Sequence, residues 1–173
     1  MTVVIDPADF ARADLRDFLR AHLDDMEPTA PPESRHALDL SGLRAPGIRM
    51  WVARLDDALV GTVALKSLTR NHDELKSMRT DPAVRGNGVA SALLEHALAD
   101  ARARGVTQVS LETGSMAFFE PARALYRKYG FTDCGPFGGY VADPNSTFMT
   151  VELACDTRTV QCGHREPADR DRV

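Results

Sequence analysis

A turn that carries two glycines and leads directly into a long amphipathic helix constrains the fold of this chain more than any other stretch. Gly86 and Gly88 lie in the run Asp81-Pro-Ala-Val-Arg-Gly-Asn-Gly-Val-Ala-Ser-Ala-Leu-Leu94, which follows a predicted strand at 74–80. Free backbone N–H groups and the positive end of the helix dipole attract anions, and glycines let a phosphate approach the main chain. The turn therefore predicts a phosphate-binding site. The alternative is that the glycines form only a tight turn.

The segment after the turn predicts a parallel crossover. Its apolar residues repeat at helical spacing, Gly105 ends the helix, and Val106 to Thr113 form a strand. A strand, a helix and a strand within about 40 residues imply a right-handed connection between parallel strands. The apolar side of this helix consists of Val89, Ala90, Leu93, Leu94, Ala97, Leu98 and Ala101.

The N-terminal half predicts two helices and the start of a sheet. Val3 to Ile5 form a strand, and a helix runs from Phe10 to Met26. A short helix begins near Pro31 and ends near Leu43. Ile48 to Leu55 and Leu59 to Ser67 form a hairpin around a polar tip.

The C-terminal part predicts a second late helix and two extended segments. Pro121 begins the helix and Gly130 ends it. The chain is then extended from Phe131 to Val141 and returns as a strand from Thr147 to Leu153. Residues 1–154 are interpreted as one domain, and the polar residues 155–173, which lack periodicity, as a flexible tail.

The predicted strand at 74–80 breaks the alternation of a regular strand. Leu75 and Met78 have opposite parity, so a regular strand would place them on opposite faces. A β-bulge, which is common beside active sites, would place both on one face. The alternative is a strand that is buried on both faces.

Composition and charge exclude several classes of protein. The chain has 173 residues with 43% hydrophobic and 27% charged side chains, as expected for one globular domain. A net charge of −4 gives no general reason to bind nucleic acid, and no apolar run is long enough to span a membrane. Three cysteines without framework spacing predict a cytoplasmic protein with free thiols. The spacing of Cys155, Cys162 and His164 fits no closed zinc pattern, so we expect no metal.

Two motifs resemble those of the GCN5-related N-acetyltransferases (GNAT). Arg85-Gly-Asn-Gly-Val-Ala90 fits the pattern [Arg/Gln]-x-x-Gly-x-[Gly/Ala], and Leu125-Tyr-Arg-Lys-Tyr-Gly-Phe131 follows at the family's spacing. The resemblance covers 3–153. It implies a single-domain α/β fold in which a mixed, mostly antiparallel, twisted sheet has helices on both faces. Strings such as Lys76-Ser-Met-Arg-Thr80 and Asp143-Pro-Asn-Ser146 are similar to a YsnE-like bacterial subgroup.

The resemblance also implies acetyl-CoA as the acyl donor and assigns residues to it. In that family the glycine turn holds the pyrophosphate, and the end of the preceding strand pairs with the pantetheine amides. A tyrosine hydroxyl at the position of Tyr126 lies near the sulfur. Many members have an asparagine where this chain has Phe119, so that contact departs from the family. The implied donor-binding residues are Met78, Arg79, Thr80, Arg85, Gly86, Asn87, Gly88, Val89, Ala90, Phe119 and Tyr126.

Acetyl transfer to an amine needs an acid for the thiolate and a base for the ammonium. We assign the acid to Tyr126, whose alternative role is a half-buried helix aromatic. The base is Glu74 or Glu112, each of which is alternatively a structural carboxylate. Lys76 and Arg79 are close enough in sequence to form ion pairs with them. The predicted acceptor pocket includes His36, Asp39, Ser77, Phe118 and Tyr140.

We therefore expect N-acetylation of a small amine or an amino-acid-like acceptor by direct attack on acetyl-CoA. A non-catalytic acyl-CoA-binding sensor on the same fold is the competing class. Acetylation of protein lysines or N-termini is a third interpretation. A homodimer through the C-terminal strands is also compatible with the sequence.

Overall fold

A computed structural model describes residues 2–26 and 39–154 of the chain. The described strands are β1 (Val3–Pro7), β2 (Ile48–Leu55), β3 (Ala58–Thr69), β4 (His72–Thr80), β5 (Gln108–Gly114), β6 (Thr132–Cys134) and β7 (Ser146–Glu152). The helices are α1 (Ala13–Met26), α2 (Leu40–Leu43), α3 (Val89–Ala103) and α4 (Glu120–Lys128).

The seven strands form one mixed sheet in the order β1-β2-β3-β4-β5-β7-β6. Among these pairs β4 and β5 are parallel, and the other neighbours are antiparallel. The α/β fold with a mostly antiparallel sheet is therefore confirmed. The crossover through α3 joins the parallel pair, which brings the carboxyl ends of β4 and β5 to the same edge as the start of α3.

Helices cover both faces of the sheet, as expected. The face under α3 and α4 carries the larger apolar core, and its fully buried side chains include Leu65, Leu93, Leu94, Val109, Leu111 and Phe131. The opposite face packs α1 and α2 through Leu15, Leu19, Leu43, Met50, Val52 and Ala64. Alternation along β2 explains the division, because Trp51 and Val52 are neighbours in sequence and enter different cores. Burying one such leucine stabilises the fold by about 2 kcal/mol.

The irregularity predicted in β4 is present. Ala64 of β3 pairs with Lys76, but Thr62 pairs with Arg79, so three steps along β4 match two along β3. Ser77 lies in this bulge with φ +51, and its carbonyl accepts a hydrogen bond from the Thr62 hydroxyl at 2.8 Å. The bulge is therefore held by a buried side chain of the neighbouring strand.

Several predicted boundaries differ from the structure. The helix predicted from Phe10 begins at Ala13, because Asp9 forms a turn by accepting from Ala11 N at 2.9 Å. The extended segment predicted from Phe131 to Val141 is wrong after Cys134, since residues 135–145 form a loop over the sheet. Residues 27–38 with His36, and 155–173 with Cys155, Cys162 and His164, lie outside the described residues.

Candidate active site

The site is built around a gap between β4 and β5. The two strands pair only from His72 with Gln108 to Leu75 with Leu111. Beyond that point β4 continues to Thr80, paired with β3, and β5 continues to Gly114, paired with β7. The edge of β4 at 76–80 therefore faces β5 without ladder pairing and leaves backbone donors and acceptors for another molecule.

The glycine turn lies directly beyond this gap. A 3₁₀ turn, Pro82–Val84, follows β4 and is capped by Asp81, which accepts from Ala83 N at 2.8 Å. Gly86 and Gly88 both have positive φ, +85° and +80°, and a Cβ on either would meet nothing within 4 Å. Gly88 is the N-cap residue of α3, and no side chain caps the helix there. Exposed backbone beside an uncapped helix start is suited to an anion.

The predicted residues of the turn differ in exposure. Arg85 and Asn87 are exposed, Ala90 is partly buried, and Val89 is buried in the apolar core. Val89 therefore anchors the first turn of α3, and any contact of Val89 with a ligand would come from its main chain. This arrangement matches a cradle made of backbone groups.

Tyr126 lies in the core under α4. Its side chain is 5% exposed and its ring packs against Phe131 at 5.7 Å between centroids. Among the described residues none forms a hydrogen bond with its hydroxyl, and burial raises the pKa of that hydroxyl. Tyr126 is therefore protonated at neutral pH and its O–H is available to a ligand. Tyr129 packs against the same core, and its hydroxyl donates to Glu95 at 2.5 Å.

Glu74 belongs to a buried network on the α1 face of the sheet. Its side chain is 3% exposed, and its Oε1 accepts from Lys76 Nζ at 2.9 Å and from the Tyr140 hydroxyl at 2.5 Å. Lys76 Nζ also donates to the Tyr140 hydroxyl at 2.9 Å. Burial, reinforced by the hydrogen bond to Glu74, raises the pKa of Tyr140, so this hydroxyl stays neutral. The ion pair expected between Lys76 and a carboxylate is confirmed for Glu74.

Glu112 lies on β5 beside this network. Its Oε1 accepts from the Ser146 hydroxyl at 2.7 Å, and its charge contributes to raising the pKa of Tyr140. Both predicted bases and the predicted acceptor residue Tyr140 are therefore brought together on one face. Glu74 and Glu112 flank the point where β4 and β5 diverge.

Phe119 packs at the end of β5. A Cβ on Gly114 would overlap the Phe119 ring, so the ring occupies space that only glycine leaves free. Arg123, which is buried, fixes this loop by donating to the carbonyls of Gly114 and Met116. Phe119 therefore packs against the last residue of β5 and offers no amide like the asparagine of the family.

The remaining predicted acceptor residues are placed differently. Ser77 lies in the bulge at the gap. Phe118 is 55% exposed and packs edge-on against Phe119 at 5.0 Å between centroids. Asp39 instead caps α2, accepting from Gly42 N and from the Ser41 hydroxyl, both at 2.8 Å. Both hydrogen bonds use Oδ1, and the acceptor contact assigned to Asp39 stays a prediction.

The side chain of Arg79 lies on the α1 face. The resemblance implies a contact with the acetyl donor only for the main chain of this residue. Its guanidinium pairs with Asp25 at 2.9 Å and lies over the Phe18 ring at 5.1 Å, so it does not pair with Glu74 or Glu112. Arg123 was missed altogether. Its Glu120 partner three residues earlier in α4 was the available sequence signal.

The family comparison agrees with this geometry. The model of the Acetyltransferase (GNAT) family matches residues 13–131, which include the gap, the glycine turn and Tyr126. Among the described residues there is no helix long and apolar enough to cross a membrane.

Individual relatives extend the comparison. The chain is 52% identical to the uncharacterized N-acetyltransferase YsnE of Bacillus subtilis over 132 residues, 76% of this chain and 87% of YsnE. It is 44% identical to an IAA acetyltransferase of Azospirillum brasilense over 125 residues, 71% of this chain and 80% of that one. A solved structure described as an acyl-CoA N-acyltransferase, from Klebsiella pneumoniae, superposes with a TM-score of 0.74 at 29% identity, covering 88% and 99% of the two chains.

Proposed function

The chain belongs to the acetyltransferase (GNAT) family, and we propose that it transfers the acetyl group of acetyl-CoA to the primary amine of a small or amino-acid-like acceptor. The observation that carries the proposal is the unpaired edge of β4 at 76–80, which opens directly beside the glycine turn. These two features supply backbone partners for an extended amide chain and for a pyrophosphate at its end.

The donor lies in the gap in this proposal. Main-chain groups of Met78, Arg79 and Thr80 pair with the pantetheine arm, and backbone N–H groups from Arg85 to Ala90 hold the pyrophosphate. Glycine adopts a positive φ without strain, so the turn at Gly86 and Gly88 has its shape before the donor binds. Unpaired N–H groups of β4 can also donate to the oxyanion that develops on the thioester carbonyl.

The reaction is a direct attack. A carboxylate, Glu74 or Glu112, removes one proton from the ammonium group, and the neutral nitrogen forms a bond to the thioester carbon. The C–S bond then breaks, the nitrogen loses its second proton, and the departing thiolate gains one. The products are the N-acetyl amide and the free thiol of CoA.

Tyr126 acts on the sulfur. The pKa of a tyrosine hydroxyl already lies above that of a thiol, and burial raises the pKa of Tyr126 further, so complete transfer of its proton to the thiolate is uphill. The hydroxyl therefore stabilises the thiolate as a hydrogen-bond donor while the proton released by the nitrogen reaches the sulfur. The absence of a hydrogen-bond partner for this hydroxyl among the described residues supports this role.

The base acts within the network around Tyr140. Glu74 is already bonded to Lys76 and Tyr140, whereas Glu112 is bonded to Ser146 and lies on the β5 side of the gap. Both stay in the proposal as bases, acting directly or through water. The proposal also includes a cytoplasmic location, and a homodimer through the C-terminal strands is compatible with it.

The test is a thiol-release assay with acetyl-CoA and a library of primary amines. Tyr126→Phe should lower kcat by about a hundredfold, the lower range for removing one hydrogen-bond donor that stabilises a developing negative charge. Tyr129→Phe is the matched control, because its hydroxyl is bonded to Glu95 on α3. Full turnover by Tyr126→Phe with an unchanged pH profile would remove Tyr126 from the mechanism. Acetyl-CoA binding without transfer to any amine would favour the non-catalytic sensor.

A further inference from the structure

Arg79 holds buried hydrogen-bond donors that no described residue of the protein accepts from. Among the described residues none accepts a hydrogen bond from its Nε or Nη1, and both atoms are buried. The side chain is 11% exposed, and its Nη2 pairs with Asp25 at 2.9 Å. Unpaired buried donors on a charged group are unfavourable and are rare in folded proteins. An acceptor from outside the chain would satisfy them.

The bulge determines where this guanidinium lies. In a regular strand Arg79 would share a face with Leu75, inside the apolar core of α3. Because Thr62 pairs with Arg79 and Ala64 with Lys76, the bulge moves Arg79 to the face that carries Lys76. Two positions of β3 separate the pairs, which corresponds to about 7 Å along the sheet.

Arg79 therefore lies on the same face as the proposed bases. It belongs to the part of β4 that has no β5 partner, next to the gap that would hold the thioester. The network of Glu74, Lys76 and Tyr140 lies further along the same strand face. An acceptor positioned for attack on the thioester would lie between the two groups.

The charge balance at Arg79 favours an anion. Asp25 contacts Nη2 alone, and the Asp25 side chain is 51% exposed, so its charge is screened by solvent. Glu74 is paired with Lys76, and Glu112 is bonded to Ser146. A guanidinium with Nε and Nη1 unused offers planar, directed donors, which carboxylates match better than other common groups do.

We propose that Arg79 binds a carboxylate of the acceptor, so that the substrate is an amine that also carries a carboxylate. This inference rests on the proposed function, because the carboxylate belongs to the molecule that is acetylated. The ammonium group then faces Glu74 and Glu112, and the carboxylate lies at the Arg79 end of the same face. Arg79 selects the acceptor and takes no part in bond making.

The experiment compares acids with their amides as acceptors. Each pair joins an acid with its amide: L-alanine with L-alaninamide, β-alanine with β-alaninamide, and L-glutamate with its α-amide. We expect kcat/KM to favour the form with the additional carboxylate by about 30-fold in at least one pair, the lower range for a buried hydrogen-bonded charge pair. Arg79→Gln should abolish that preference, which is measured as the ratio of the two kcat/KM values within each pair.

Two further variants separate recognition from folding. Arg20→Gln is the matched control, because Arg20 is an exposed arginine of α1, and it should keep the preference. Arg79→Lys keeps the charge beside Asp25 but loses the planar donors, so it should fold and still lose most of the preference. Equal use of acids and amides by the unchanged enzyme would overturn the inference. An equal loss of kcat/KM for acids and amides in Arg79→Gln and Arg79→Lys would also overturn the inference.

A binding measurement distinguishes this failure from failure of the proposed function. The same acids and amides are titrated calorimetrically into the protein saturated with CoA. If no amine is acetylated but the acids bind and Arg79→Gln abolishes their binding, the carboxylate site stands and acetyl transfer fails. If acids and amides are acetylated equally, acetyl transfer stands and the carboxylate site fails.

Discussion

Glu74, Lys76 and Tyr140 form a buried network of charged and polar side chains on the α1 face. Glu74 and Lys76 are two apart on β4, so alternation alone places them together, and their pairing could be predicted from the sequence. The position of their third partner, Tyr140, could not be predicted from the sequence. Tyr140 is 66 residues from Glu74, and it reaches the pair because its ring packs on Phe137 and Phe148.

The Glu74–Lys76 pair gives a stability prediction at this scale. Lys76→Met should lower the free energy of unfolding by about 3–5 kcal/mol, because it leaves a buried carboxylate without its cation. The double variant Glu74→Gln/Lys76→Met should recover most of this loss, since both charges are gone. Urea unfolding measures both values. A double variant as unstable as the sum of its single variants would contradict this explanation.

His22 gives a prediction on pH. Burial, together with the positive charge of Arg79, lowers the pKa of His22 from 6.5 to about 4. Between these values the unfolded chain binds a proton at His22 that the folded chain does not, so stability falls as pH falls from 6.5 to 4. The loss reaches about 3 kcal/mol and does not grow below pH 4.

The measurement is the free energy of unfolding across pH 4 to 7. His22→Gln should flatten the acid side of that profile, and the exposed-site variant Arg20→Gln should leave its shape unchanged. An identical slope in His22→Gln and the unchanged protein would show that other groups cause the acid sensitivity.

At the scale of elements, strong local patterns in the sequence predict the structure. The boundaries of β2 match the prediction, and the helix after the glycine turn is present as α3. Opposite parity of Leu75 and Met78 correctly indicated the bulge in β4. The sequence predicts an extended segment at 135–141 where the structure has a loop, because local alternation carries no information about ring contacts such as Phe137 with His72.

The end of β5 provides a prediction at this scale. Gly114→Ala should displace Phe119, because the added Cβ would overlap the ring. We expect destabilisation of about 1–3 kcal/mol from overpacking, with a higher KM for acetyl-CoA. Thermal unfolding and steady-state kinetics measure the two effects.

A second substitution tests the cause. Gly114→Ala/Phe119→Ala removes the ring that clashes, so the methyl group added at position 114 no longer costs stability relative to Phe119→Ala alone. If Gly114→Ala is equally destabilising in both backgrounds, the cost comes from the backbone of β5 and not from contact with Phe119.

At the scale of the whole molecule, the site follows from strand order. The parallel β4–β5 pair within an otherwise antiparallel sheet brings two strand ends and the start of α3 to one edge. Ligands of α/β sheets commonly bind at such an edge. The overall charge of −4 does not attract an anionic donor, so its attraction is local, at the glycine turn and the free edge of β4.

The central claim is that acetyl-CoA occupies the gap between β4 and β5, and amide hydrogen exchange with and without acetyl-CoA tests it most directly. We predict slower exchange in peptides covering 76–90, where backbone N–H groups lack sheet partners or lie in the glycine turn, and little change across the β1–β2 pair. Saturating acetyl-CoA that leaves 76–90 unprotected while protecting another part of the chain would contradict the claim.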